Sequence, residues 1–290
     1  MTIAAPVPFR PALQQAVALL AAAGIESPRW DAEQLAAHVL GVSRTSLPVV
    51  PSFDAAQHAE FLALVARRAG REPLQHIVGM VGFRYVELAV GPGVFIPRPE
   101  TESVAGAAID ALRHRGGGVV VDLCSGSGAI ALSVAHEVKG AVVHAVEVDP
   151  GALEWLRRNA SARERAGDRP IAIHAADVAD AVPELDGTVD VVVSNPPYVA
   201  LDELTQVEPE VRDHDPVRAL VAGPDGLGVI RAVERTAHRL LKPGGVVVVE
   251  HSDRQGITAP AVFGDGWGRV EDHRDLAGRP RYVTGEKMSS

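Results

Sequence analysis

The sequence predicts an α/β fold, a parallel sheet covered by helices on both faces, preceded by a small all-helical domain. From Gly118 onward short apolar runs alternate with helical stretches. Buried strands alternating with helices imply βαβ units and a parallel sheet. Before residue 70 apolar residues recur at helical spacing and no β-rich run intervenes. A chain of 290 residues is also longer than one average domain.

Leu13, Val17 and Leu20 mark a first helix; Leu35, Val39 and Leu40 mark a second after Asp31. A third spans 54–68 with Phe61, Leu62, Leu64 and Val65, set apart by Pro48 and Pro51. Residues 1–70 are therefore expected to form a helical domain. Residues 71–99 carry Gly79, Gly82, Gly91, Gly93, Pro73, Pro92, Pro97 and Pro99 between short apolar runs. This reads as a linker with a β-hairpin. A helix over 100–113 opens the second domain, residues 100–290, and Gly116-Gly117-Gly118 ends it. Strands are expected at 119–124, 141–148, 171–174, 189–194 and 245–250, with helices at 129–138, 152–159 and 229–241. Two further β-like runs follow at 269–273 and 281–284.

No apolar run reaches the roughly 18 residues of a membrane span. The first ten residues lack a basic segment followed by an apolar one, so no secretory leader is expected. A single cysteine, Cys124, suits a reducing, cytoplasmic compartment. The net charge of −9 argues against a chain that grips duplex DNA by counterion release. The 11 histidines show no metal-ligand spacing, and no metal is expected. No Gly-x-Ser-x-Gly elbow is present, which removes support for hydrolase chemistry.

The first strand of the sheet runs into Asp122-Leu123-Cys124-Ser125-Gly126-Ser127-Gly128. Ligands of doubly wound sheets sit beyond the carboxyl ends of the strands. Gly126 and Gly128 let a ligand approach the backbone there. The next strand ends at Glu147, about 20 residues on, where a carboxylate can accept the protons of ribose hydroxyls. Gly126-Ser127-Gly128 also resembles half of a dinucleotide fingerprint, and that reading stays open. Asp122 favours a cationic amino-acid moiety over a pyrophosphate, which it would repel. Asp177, followed by Val178, is a candidate partner for an adenine amino group or, equally, a turn cap. Cys124 reads as a small buried residue rather than a nucleophile.

The strand 189–194 leads directly into Asn195-Pro196-Pro197-Tyr198. Proline lacks a donor, so the ladder stops there. The Asn195 side-chain oxygen and the Pro196 carbonyl can accept the two protons of an NH2 group. Tyr198 offers a flat face to a planar substrate. Such a site suits in-line methyl transfer from a sulfonium to an amide or amine nitrogen, which positioning makes competent. An exocyclic adenine amine and a side-chain amide both fit. A binding protein that merely keeps the scaffold has no need of both segments intact.

With these segments the chain resembles the release-factor glutamine N5-methyltransferases, the HemK/PrmC family, from about Pro11 to Thr284. A second signature carries the resemblance, Ile96-Pro97-Arg98-Pro99-Glu100-Thr101-Glu102, together with Pro73-Leu74-Gln75-His76-Ile77 and Pro224-Asp225-Gly226-Leu227. The resemblance implies a Rossmann-like class I methyltransferase sheet with a helical domain that recognises the substrate. It implies S-adenosyl-L-methionine as cofactor and S-adenosyl-L-homocysteine as product. The implied protein partners are class I peptide chain release factors, methylated on the glutamine of a Gly-Gly-Gln motif. Neither membrane nor direct nucleic-acid binding is expected; the alternative is N6-adenine methylation of DNA or RNA. By position, cofactor contacts fall on Asp122, Cys124, Ser125, Gly126, Ser127, Gly128, Glu147, Asp177, Val178 and Asn195. Asn195, Pro196, Pro197 and Tyr198 would hold the glutamine amide. Three positions depart from the common pattern: Cys124 replaces a frequent glycine, Glu147 a frequent aspartate, and Val178 stands where a relative has an aromatic. The block at Ile96–Glu102 is expected to border the active site.

Overall fold

A computed structural model describes residues 5–289. The sequence readings that include residues 1–4 or 290 lie in part outside the described residues. No helix among those described is long and apolar enough to cross a membrane.

The chain opens with β1 (Val7–Pro8), α1 (Phe9–Ala22), α2 (Pro28–Leu40), β2 (Ser52–Phe53), α3 (Ala55–Ala69) and α4 (Leu74–Val78). The apolar spacing foretold α1 to α3, but alanine carries much of the packing. Phe9, Ala12, Ala16 and Leu20 of α1 face inward against Ala32, Leu35 and Ala36 of α2 and Phe61 and Val65 of α3. Small side chains let helices approach closely, while Leu13 and Val17 sit at the edge of this core. Asp54 caps α3 in a reciprocal capping box with Gln57.

The first unit runs on to Gly79 and also takes in Glu208–His214. This division departs from the expected boundary at residue 70. The segment expected to begin the linker instead forms α4, whose Ile77 is buried in the helical core. The distant segment, whose helix spans Pro209–His214, joins through charge. Arg68 donates to Asp31 at 2.7 Å and to Glu210 at 3.1 Å, and Arg71 donates to Glu210 at 2.7 Å. The Arg68 and Asp31 side chains are each only 9% exposed, so burial demands this pairing.

The second unit is α/β. The hairpin β3 (Met80–Phe83) and β4 (Val86–Ala89) belongs to its core through Phe83, Val86 and Leu88, rather than to a free linker. There follow α5 (Thr101–His114), β5 (Gly118–Leu123), α6 (Ala129–Glu137), β6 (Ala141–Glu147), α7 (Pro150–Arg165), β7 (Ala172–Ala175) and β8 (Val189–Ser194). After α8 (Pro209–His214, in the first unit) come α9 (Gly228–Leu240), β9 (Leu241–Glu250), β10 (Trp267–Arg274) and β11 (Pro280–Lys287).

The sheet order is β10-β11-β9-β8-β5-β6-β7. The five strands from β9 to β7 are parallel, and β11 and β10 are antiparallel. All residues of β8 are buried, as expected of a strand covered on both faces. One apolar core lies between the sheet and α5, α6 and α7; another lies between the sheet and α9. The chain winds outward from β5 to β7, returns to β8 beside β5, and winds outward again. The winding direction therefore reverses between β5 and β8, and ligands of such sheets bind at that crevice.

Candidate active site

The register between β5 and β8 brings the two sequence motifs together. Leu123 lies opposite Ser194, so Cys124 and Asn195 leave the sheet side by side at its switch point. The Ser194 hydroxyl donates to the Leu123 carbonyl at 2.7 Å and ties the two strand ends.

The segment Cys124–Gly128 is a tight turn. Cys124, Gly126 and Gly128 all take positive φ, at +60°, +56° and +89°. The Ser125 hydroxyl donates to the Asp122 carbonyl at 2.8 Å, and the Gly128 N–H donates to the Ser125 carbonyl at 2.8 Å. A Cβ on Gly128 would stand 2.6 Å from Leu156 Cδ1, so packing as well as φ demands glycine. Cys124 adopts a left-handed conformation despite its Cβ, which explains why glycine suits this position. Burial pushes its thiol pKa upward, consistent with an unreactive sulfur. Ser127 is buried, and its carbonyl accepts from Asn159 at 3.0 Å.

Glu147 borders this turn. Its Oε2 accepts from the Gly126 N–H at 2.8 Å, and its Oε1 accepts from the Val148 and Asp149 N–H groups. Oε1 is filled by its two donors, and Oε2 retains acceptor capacity for a ribose hydroxyl. Asp177 is exposed and caps a turn by accepting from the Ala179 N–H. Val178 is buried with Val146 and Leu123, its side chain in the core.

Asp122 is 1% exposed. Its Oδ2 accepts from the Ala131 N–H near the start of α6, and its Oδ1 has no hydrogen-bond partner. Burial pushes its pKa up to about 8 against that opposing hydrogen bond. The donor set fits an amino-acid cofactor, since an unpartnered buried carboxylate oxygen is what an ammonium would satisfy. A prediction about stability follows. The folded, ligand-free protein holds a proton on Asp122 that the unfolded chain releases near the ordinary aspartate value, about 4. Between there and about pH 8 the folded state binds more protons, so this group's contribution falls as pH rises. Asp122→Asn should therefore gain stability relative to the ligand-free wild type between about pH 5 and about pH 8. Melting curves across that range check this; a difference that does not change with pH rules it out.

On the other side of the crevice, Asn195 and Tyr198 are partly buried and Pro196 is buried. The Asn195 Nδ2 donates to Thr101 Oγ1 at 3.1 Å. Among the described residues no donor bonds to Asn195 Oδ1 or to the Pro196 carbonyl. Both acceptors are thus available. The Tyr198 hydroxyl donates to Glu250 Oε1 at 3.2 Å, and burial pushes the phenol pKa upward. Gln255 holds the tetrapeptide from beneath, donating to the Tyr198 and Gly226 carbonyls at 3.2 Å each. Gly226 lies so close that a Cβ there would stand 2.5 Å from the Tyr198 carbonyl oxygen. The Pro224–Leu227 segment is therefore part of the support for this turn.

Thr101, Glu250 and Gln255 were not among the expected site residues. Thr101 sits in the Ile96–Glu102 block, which does border the tetrapeptide through the Asn195 bond. Glu250 ends β9, and the rule that ligands sit beyond strand carboxyl ends was a usable signal for it. Gln255 had no local signal. No group of three His, Cys, Asp or Glu side chains poised to hold a metal occurs among the described residues.

Comparison with known proteins adds five findings. The model of the PrmC N-terminal domain matches residues 11–79, and that of the methyltransferase small domain matches 87–210. The release factor glutamine methyltransferase of Streptomyces coelicolor is 56% identical, covering 94% of this chain and 96% of that protein. A 4-amino-L-phenylalanine/4-methylamino-L-phenylalanine methyltransferase of Streptomyces pristinaespiralis is 44% identical, covering 91% of this chain and 89% of that one. Among solved structures, a 16S rRNA methyltransferase of T. thermophilus in complex with AdoMet and guanosine shares the fold. Its TM-score is 0.50 at 22% identity, over 72% of this chain and 49% of that one.

Proposed function

Because the chain belongs to the release factor glutamine methyltransferase family, we propose that it methylates the side-chain amide nitrogen of the glutamine in the Gly-Gly-Gln motif of class I release factors. The observation that carries this is the pairing of Leu123 with Ser194, which sets the cofactor turn beside the Asn195–Tyr198 acceptors. The methyl donor is S-adenosyl-L-methionine, which supplies an electrophilic methyl group on a sulfonium.

In this reading the chain's own residues bind and orient. Asp122 Oδ1 would hold the donor's ammonium, Glu147 its ribose, and the Cys124–Gly128 backbone its amino-acid portion. Asn195 Oδ1 and the Pro196 carbonyl accept the two protons of the glutamine NH2, with Tyr198 against its plane. An amide nitrogen is a poor nucleophile because its lone pair is delocalised. Fixing it on the axis of displacement can supply roughly 7–11 kcal/mol of the barrier. Acceptors on both N–H bonds stabilise the positive charge that develops on nitrogen. The proton leaves after transfer, so no strong base is required. Asp177 would take the adenine amino group on the carboxylate oxygen that its turn cap leaves open, with the backbone of Val178 beside it, since the Val178 side chain is in the core. A cytoplasmic location accords with a translation substrate.

A second reading comes from the Streptomyces pristinaespiralis relative, which is named for an aryl amine substrate. Such an amine also presents NH2 on a planar group, and Asn-Pro-Pro-Tyr alone does not tell the two apart. The lower identity, 44% against 56%, favours glutamine. The test is label transfer from S-adenosyl-L-methionine into four acceptors: a release factor, the same factor with its Gly-Gly-Gln glutamine changed to alanine, 4-amino-L-phenylalanine, and adenine-containing DNA or RNA. Label in the first alone is expected. Label in both release factors, or only in the amine or nucleic acid, overturns the reading.

A further inference from the structure

Pro196 and Pro197 take two N–H donors out of the tetrapeptide, so no ladder of its own can hold it. Among the described residues, Gln255 is the one side chain that bonds to its backbone. Gln255 is 8% exposed. Its Nε2 donates to the Tyr198 and Gly226 carbonyls at 3.2 Å each, and its Oε1 accepts from the Ser252 N–H at 3.0 Å. Its own backbone is fixed as well. The Gln255 N–H donates to the Ser252 carbonyl at 2.9 Å, and the Gln255 carbonyl accepts from the Ala259 N–H at 2.8 Å. Gly226, at φ +69°, packs so tightly on this junction that a Cβ would stand 2.8 Å from Gln255 Nε2. At the far end of Tyr198, the hydroxyl donates to Glu250 Oε1. Tyr198 is therefore held at both ends, by its carbonyl and by its phenol.

We propose that Gln255 is a positioning residue for methyl transfer: through the Tyr198 carbonyl it sets the plane of the ring against which the substrate amide lies. The proposal rests on reading Asn195–Tyr198 as the acceptor site. A glutamine amide has a donor end and an acceptor end. The Ser252 N–H claims Oε1, so the NH2 must face the two carbonyls. A flipped amide would set oxygen against two oxygens and NH2 against an N–H, where burial leaves no water to compensate. The orientation is thus fixed before any substrate arrives. The rings of Pro196 and Pro197 fix φ at two positions. The peptide after Tyr198 is fixed by Gln255 on its carbonyl and by the Val199 N–H, which donates to the Leu220 carbonyl at 2.9 Å. In-line displacement tolerates little misalignment of the nitrogen, so a tilt of this ring is felt in the chemical step.

The test uses Gln255→Glu, which keeps the shape but sets a carboxylate oxygen against two carbonyls, and Gln255→Met, which removes every polar atom of the side chain. Single-turnover methylation of a release factor is expected to slow on the order of 10- to 100-fold in both, the cost of a misplaced reacting group. Kd for S-adenosyl-L-methionine should change by less than about threefold, as befits an effect on orientation alone. In a Tyr198→Ala background Gln255→Met should add less than about twofold, because Gln255 acts through Tyr198. Independently of any substrate, the ring signals of Tyr198 should move in both variants. The chain has three tyrosines, so 13C-tyrosine labelling resolves Tyr198 as the signal lost in Tyr198→Phe. Unmoved ring signals, a turnover loss below about threefold in both variants, or an undiminished loss in the Tyr198→Ala background overturn the proposal. If the signals move as expected while the wild type methylates no release factor, the hold on Tyr198 stands and the assigned reaction falls.

Discussion

Asn195→Ala should lower kcat for release-factor methylation by about 10²–10³, the usual cost of removing one aligned hydrogen-bonding group from a transition state. Binding of S-adenosyl-L-methionine should change little. The reason is geometric. Asn195 directs Nδ2 to Thr101 and leaves Oδ1 without a donor among the described residues. What the variant loses is an acceptor for a nitrogen that gains positive charge only during transfer. The Pro196 carbonyl remains, so activity falls without vanishing. Calorimetry of cofactor binding beside single-turnover kinetics separates the two effects. Equal losses of affinity and turnover would mean that Asn195 mainly shapes the cofactor pocket.

Gly128→Val should destabilise the protein by about 2–5 kcal/mol. A β-branched residue at φ +89° carries strain of about 1–2 kcal/mol. Its Cβ would stand 2.6 Å from Leu156 Cδ1 and 3.1 Å from Leu132 Cδ1, and overpacking of this kind adds about 1–3 kcal/mol. Neither leucine can retreat easily, because both are buried in the core that joins α6 and α7 to the sheet. Urea denaturation gives the difference. A loss below about 1 kcal/mol would mean that the turn relaxes without disturbing the core. By contrast, a Cβ at Gly126 meets nothing within 4 Å, so only its backbone dihedral is at issue there.

Much of the fold was legible because it is written in local periodicity. The run 189–194 was read as a strand with the bounds the structure shows, since four valines bounded by Pro196 leave little choice. The helix expected over 152–159 extends from Pro150 to Arg165, because Asp149 caps it and its polar tail needs no burial to remain helical. Strand β9 begins at Leu241, earlier than the expected residue 245; its first residues pair with Val189 across a register irregularity. The 3₁₀ turn at Leu201–Gln206 and α8 had no apolar pattern to betray them.

The candidate site was legible to the same extent. Asp122, Cys124–Gly128 and Asn195–Tyr198 announce themselves through residue types that strand ends rarely carry without purpose. Their adjacency is another matter. They lie some seventy positions apart in the chain, and only the β5–β8 pairing makes them neighbours. Asp177 keeps both of its readings: its Oδ1 caps a turn, and its exposed side chain still has Oδ2 to offer an adenine amino group.

Asn195-Pro196-Pro197-Tyr198 and the glycine turn determined the class of chemistry by themselves, because proline's missing donor, glycine's dihedral freedom and the acceptors of an asparagine are properties of single residues. The helical and α/β parts were likewise determined by spacing along the chain. Tertiary structure alone decided that Glu208–His214 joins the helical unit, through the pairing of buried Arg68 and half-buried Arg71 with Glu210. It alone decided that Thr101, Glu250 and Gln255 surround the tetrapeptide. Those contacts are made between residues remote in sequence, and their energies depend on burial, which no local pattern of residues records.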